Sequence, residues 1–151
     1  MRTLGIDYGT VRVGLAMSDE GARFATPHDV LTVSSPDQAI DQVARIVEKE
    51  GVQRLVVGLP LNMDNSLGRQ ALKTIEWGCS LATRCGKPLV FVDERLSSFA
   101  AEQDLNDRKR GGEKLTRKRR KEQLDALAAA GFLQAFLDGK LQPIDASELT
   151  S

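Results

Sequence analysis

Two short runs, Arg54–Leu59 and Pro88–Val92, are apolar almost without interruption. Runs of that length and continuity read as strands buried on both faces, which requires parallel strands covered by helices. The segments around them supply those helices. Ser35-Pro36 opens the first, with Ser as N-cap and Pro at the first helical position. Ile40, Val43, Ala44 and Val47 form its apolar stripe, and Gly51 closes it. A second helix is predicted from about Gly68 to Cys85, with Leu72, Ile75, Cys79 and Ala82 inward and Gly86 at the C-cap. Upstream, Thr3–Tyr8, Arg12–Ser18 and a stretch within Ala22–Val33 broken at Pro27 are strand-like and separated by hairpin spacings, so they are expected to pair antiparallel. A short helix at about Ser98–Leu105 and a long one at about Thr116–Leu137 complete the pattern. The order β-β-β-α-β-α-β-α-α predicts an α/β fold: a five-stranded mixed sheet, strand order 3-2-1-4-5, with helices on both faces.

At 151 residues the chain suits one domain, expected over residues 1–138, with 139–151 as a loose polar tail. The 41% apolar and 28% charged content excludes a disordered chain. No apolar run approaches the ~20 residues that span a bilayer. The opening residues lack the apolar core and cleavage site of a signal peptide. A cytoplasmic protein without membrane contact is expected. Cys79 and Cys85 both fall in the second helix, where six residues rise about 9 Å. Disulfide Cα atoms lie ~4.4–6.8 Å apart, so two buried free thiols are expected.

In a sheet of that order, the C-terminal ends of the parallel strands 1, 4 and 5 share one edge, where open α/β sheets bind ligands. Asp7 ends the first strand, and Asp93 and Glu94 end the fifth. Asp125 shares a helical face with Ala128, Ala129, Phe132 and Phe136. That face is apolar and should pack on the sheet, which turns a carboxylate inward at a cost unless it is paired or holds a cation. Converging carboxylates suit Mg²⁺ or Mn²⁺, which prefer oxygen donors. Two such ions about 3.5–4 Å apart stabilise both oxygens of a phosphodiester cleavage. Each acid also has an ordinary reading: Asp7 shaping a turn, Glu94 pairing with Arg95, Asp125 solvated. The run Asp7-Tyr8-Gly9-Thr10 with Gly14 also fits the phosphate loop of actin-like and sugar-kinase ATPases, but those close two such domains over ATP and this chain has room for one.

The formal charge is zero, yet residues 108–121 hold nine Lys/Arg against one Glu, leaving +8 there and −8 elsewhere. Arg108, Lys109, Arg110, Lys114, Arg117, Arg119 and Arg120, around Gly111-Gly112, suit a phosphate backbone. The alternatives are a solvated helix end or a localisation signal. Aromatics are few, mostly at predicted core positions, and show no base-stacking platform. The loop Pro60–Ser66 lies at the same sheet edge; its Asn62 and Asp64 suit phosphate or metal contact, or else a turn and N-cap. His28 lies away from that edge and reads as structural.

Gly5-Ile6-Asp7-Tyr8-Gly9 with Arg12-Val13-Gly14, Val57-Gly58-Leu59-Pro60-Leu61-Asn62-Met63-Asp64, Asp93-Glu94-Arg95-Leu96-Ser97 and Asp125-Ala126-Leu127-Ala128-Ala129 together resemble the YqgF/RuvX family, in order over residues 3–137. The resemblance implies an RNase H-like fold and a Mg²⁺- or Mn²⁺-dependent nuclease related to the junction resolvase RuvC. It implies that Asp7, Glu94 and Asp125 form an acidic metal-binding triad, with Arg12, Asn62, Arg95 and the basic segment on substrate. It implies either structured RNA, the pre-16S rRNA 5′ end within ribosomal precursor particles, or branched DNA such as a Holliday junction. A non-catalytic ribosome-assembly factor remains a further alternative, and a monomer or weak homodimer is expected. Asn65 stands where the family often has Gly, and Ser97-Ser98 where it often has Ser-Thr.

Overall fold

The computed structural model describes residues 1–95 and 117–144, with residues 117–123 described as helical backbone. The elements are β1 (Thr3–Tyr8), β2 (Arg12–Ser18), β3 (Ala25–Thr32), α1 (Pro36–Glu50), β4 (Arg54–Leu59), α2 (Arg69–Cys85), β5 (Leu89–Asp93) and α3 (Arg117–Leu137). They form one five-stranded sheet in the order β3-β2-β1-β4-β5. β1 pairs antiparallel with β2 and parallel with β4, and β4 parallel with β5. The sequence-predicted topology therefore holds. The helix expected at Ser98–Leu105 lies outside the described residues, as do Gly111-Gly112 and the tail beyond 144.

Strand alternation divides the core in two. Leu4 and Ile6 of β1, Leu55, Val57 and Leu59 of β4 and Phe91 of β5 face α1 and α2. Ala16, Val56 and Val92 face α3, through Ala129, Phe132 and Leu133. β4 is buried on both faces, as its apolar run requires. β3 is the exposed edge. Its register slips between Leu15↔Asp29 and Ala16↔Pro27, leaving exposed His28 as the extra residue of a bulge. Proline and a bulge both discourage pairing by another strand.

Ser35 caps α1 with its hydroxyl, which accepts from the Gln38 N–H at 3.1 Å. Gly51 ends the helix in the left-handed region at φ 66°. Ser35→Ala should cost about 1 kcal/mol, a fall of roughly 2–4 °C in melting temperature, measurable by calorimetry.

α2 departs from its predicted face. Ala71, Thr74, Ile75, Trp77, Gly78 and Leu81 are buried, whereas Leu72 and Cys79 are exposed. The helix is rotated because Gly78 lies against the sheet; a Cβ there would stand 3.0 Å from the Phe91 ring. Trp77 also anchors the helix to α1, donating its indole N–H to the Pro36 carbonyl at 3.1 Å. Both cysteines are free, as expected, but Cys79 faces water and Cys85 is half-buried. After α3 the chain returns to the sheet: Ile144 N–H donates to the Phe91 carbonyl at 2.7 Å. No described helix is long and apolar enough to cross a membrane.

Candidate active site

Asp7 occupies the centre of the site because its neighbours across the sheet have no side chains. Its partner on β2 is Gly14. The Ile6↔Val57 register places Gly58 of β4 beside it on the other flank, one step on. Asp7, Gly14 and Gly58 thus form one row, directed at α3. The two glycines leave space that the other acids fill. The Asp125 backbone lies over Gly14, where a Cβ would come within 2.3 Å of the Asp125 carbonyl oxygen. Glu94 lies over Gly58, its Oε2 2.8 Å from the position a Cβ would take. Three acids distant in sequence are brought to one edge, as the sequence reading expected.

Alternation along β5 separates Asp93 from Glu94. Glu94 turns toward Asp7 and shares a hydrogen bond with it. Asp93 turns to the opposite face and binds Arg95, whose Nη2 lies 2.6 Å from its Oδ2. Thus Arg95 pairs with Asp93, and Glu94 is released to the site. Lost hydration pushes the Asp7 carboxyl up to about 6 and that of Glu94 to about 9. For Glu94 the facing charge of Asp7 adds to this, and for Asp7 the charge of Asp125 does. Two half-buried carboxyls sharing a proton are what like charges in one site produce. Asp125 is held separately: Arg12 Nε donates to its Oδ2 at 2.7 Å.

Arg95 and Asn62, predicted to contact substrate, serve first within the protein. Arg95 Nη1 donates to the Asn62 carbonyl at 2.7 Å and Nη2 to Asn65 Oδ1 at 2.6 Å. Asn62 Nδ2 donates to Ser66 Oγ, and Ser66 N–H and Oγ–H both donate to Asp64 Oδ1. These two bonds hold the Asp64 carboxyl below its ordinary range. The turn reading of this loop holds, but its N-cap half does not: α2 starts from Gly68 with no side-chain cap. Asn65 has φ 67°, a left-handed conformation that asparagine tolerates better than most residues. Sequence reasoning missed Asp93 and Asn65 as Arg95 partners; an acid two residues before Arg95 was the available signal. Arg117, Arg119 and Arg120 lie on the first turns of α3, and Arg108, Lys109, Arg110 and Lys114 lie outside the described residues.

The donor set is all carboxylate oxygen, the chemistry that hard divalent cations select. The set therefore fits Mg²⁺ or Mn²⁺, which Asp7 and Glu94 would hold in place of their shared proton. Among the described residues no three such side chains are already grouped as ligands, and Asp125 is paired with Arg12.

A family model described as RuvX, Holliday junction resolvase, matches residues 1–139. The chain belongs to the RuvX family. Among curated relatives, a protein of Chloroflexus aggregans named "Putative pre-16S rRNA nuclease" is 41% identical over 140 residues, covering 93% of this chain and 95% of the relative. One of the same name from Syntrophomonas wolfei is 39% identical over 139 residues, covering 92% and 95%. Among solved structures, T. thermophilus RuvC in complex with a Holliday junction substrate superposes with a TM-score of 0.61 over 95% of this chain and 99% of that one, at 18% identity. At that identity the likeness is one of fold, and it places this RuvX chain in the RNase H-like class.

Proposed function

We propose that this RuvX chain is a divalent-metal-dependent endonuclease of the cytoplasm that processes the 5′ end of pre-16S rRNA, with residues 1–138 as its nuclease domain. The observation that carries the reading is the row Asp7-Gly14-Gly58, which gathers Asp7, Glu94 and Asp125 at the ligand-binding edge of an RNase H-like sheet. The names of its relatives support the RNA substrate.

In this reading Asp7 and Glu94 would hold Mg²⁺ or Mn²⁺, with Asp125, paired here with Arg12, as the third acid of the set. The bound ion would supply a nucleophile from water at neutral pH and neutralise charge developing on the phosphate. The chain's own contributions are positional. Gly14 and Gly58 fix where Asp125 and Glu94 sit, and Arg95 fixes the loop beside Glu94. Arg12, whose guanidinium lies beside Asp125 at the site, would meet the substrate phosphate. The basic segment 108–121 supplies a sequence-independent grip on the backbone.

The test is incubation of the purified protein with pre-16S rRNA and with a DNA four-way junction, in Mg²⁺, in Mn²⁺ and in chelator. Cleavage of the RNA that chelator abolishes is the expected result. Cleavage of the junction alone would favour the resolvase reading, which the family's description supports and which requires two sites for a symmetric cut. RNA binding with no cleavage of either substrate would leave a ribosome-assembly role. Independently, Mn²⁺ at about 100 times its dissociation constant should stabilise the protein by about 2.7 kcal/mol, a rise of several degrees in melting temperature. An unchanged melting temperature with added Mn²⁺ would sink the metal site.

A further inference from the structure

The chain's single tryptophan and single tyrosine are in contact. Tyr8 and Trp77 stack with ring centroids 4.2 Å apart and planes inclined by 17°. Half-buried Tyr8 and Ile40 form the floor of a groove of about 340 Å³ between α1 and α2, with Trp77, only 4% exposed, stacked behind Tyr8. Asp37 on α1, and Lys73 and Glu76 one turn apart on α2, make its exposed polar rim. The groove borders the acidic site directly. Tyr8 follows Asp7 on β1, so their Cα atoms are about 3.8 Å apart, and alternation sends Tyr8 to the α1/α2 face while Asp7 faces α3. A strand crossing this sheet edge with a phosphate at the acids places the base of an adjoining nucleotide over the groove.

We infer that the Tyr8–Trp77 groove is a nucleobase subsite for an unpaired nucleotide beside the cleaved phosphate, and that it selects bases carrying an exocyclic amine. The inference rests on the nuclease reading and names its substrate as locally single-stranded. The half-buried Tyr8 ring, backed by Trp77, suits the π-face of any base, as in single-strand binding proteins. The rim discriminates. The carboxylates of Asp37 and Glu76 are acceptors, which match the amine donors of adenine, guanine and cytosine. Uracil offers two carbonyls and a single N–H, so two carboxylates at the rim oppose it. Lys73 remains to meet a carbonyl or a phosphate. The sequence shows no such platform, because Tyr8 and Trp77 are far apart in the chain and Trp77 lies at a core position.

Trp77 is its own reporter, since no other indole contributes emission. The full chain is titrated in chelator with short oligo(A) and oligo(U), following Trp77 fluorescence, with filter binding in parallel. Saturable quenching by oligo(A), with oligo(U) several-fold weaker, is expected. Tyr8→Leu keeps an apolar floor but removes one ring; it should weaken oligo(A) binding by about tenfold, within the range of one base–aromatic stack. Asp37→Asn with Glu76→Gln, both at exposed positions, should narrow the preference for oligo(A) over oligo(U). Binding on filters without quenching, or equal quenching by both oligonucleotides, would overturn the subsite while leaving the nuclease reading standing. Absence of any oligonucleotide binding would likewise overturn the subsite, whereas the nuclease reading stands or falls on metal-dependent cleavage of pre-16S rRNA.

Discussion

Asp7→Asn is expected to lower cleavage by about a thousandfold or more, and to raise the melting temperature measured at pH 8 in chelator. The first effect corresponds to about 4 kcal/mol of transition-state stabilisation, of the size a metal-ion site supplies. The second follows from the proton shared by Asp7 and Glu94. Burial raises both carboxyls above their ordinary values, to about 6 and about 9. The folded state therefore binds protons more tightly than the unfolded chain, and stability falls as pH rises through that window. Below about pH 4 both groups are protonated in either state and the penalty vanishes. Asparagine carries no charge and can donate its amide to Glu94, which removes much of the penalty. At pH 8 the variant should melt about 5 °C higher, taking roughly 2–4 °C per kcal/mol at this size, and the gap should close on descent to pH 4. Saturating Mn²⁺ should reverse the order, because only the wild type gains from the ion. A variant that cuts normally, or that melts lower than wild type at pH 8 without metal, would refute the assignment of Asp7.

The fold was legible because its strongest signals are local. The apolar runs of β4 and β5 and the hairpin spacing of β1, β2 and β3 admit few topologies, and those topologies bring Asp7 and Glu94 to one edge. The choice between Asp93 and Glu94 was less accessible. It depends on strand parity continuing one residue past β5, and on Arg95 finding Asp93 and the loop carbonyl of Asn62 at once. The rotation of α2 was hidden because periodicity favours the large apolar Leu72 over the small Ala71 and Gly78. What decides the face is closeness of approach, and small residues permit it. The stacking of Tyr8 on Trp77 was hidden for a related reason. Each residue alone reads as core, and only the packing of α2 against the end of β1 opens a groove beside them.

Gly14 shows how closely site and stability are joined. Gly14→Ala places a methyl group 2.3 Å from the carbonyl oxygen and 2.4 Å from the carbonyl carbon of Asp125. Both are backbone atoms of α3, so no side-chain rotation relieves the contact; the helix must lift from the sheet. Ala129, Phe132 and Leu133 are fully buried on that same face, and lifting the helix loosens all of them. The expected cost is about 3 kcal/mol or more, a fall in melting temperature of roughly 6–12 °C. Cleavage should drop further than stability accounts for, because Asp125 moves away from Asp7, and a 1 Å misplacement can cost about a hundredfold. Gly58→Ala should be milder in stability, since its methyl meets the Phe132 ring edge at 2.7 Å and the Glu94 side chain at 2.8 Å, which are able to shift. Gly51→Ala and Gly86→Ala isolate the backbone effect. Both positions have positive φ and nothing within 4 Å of the new methyl, so each should lose about 1 kcal/mol with cleavage unchanged. If Gly14→Ala behaved like Gly51→Ala, melting slightly lower but cutting normally, then the seat of Asp125 on β2 would not position the third acid.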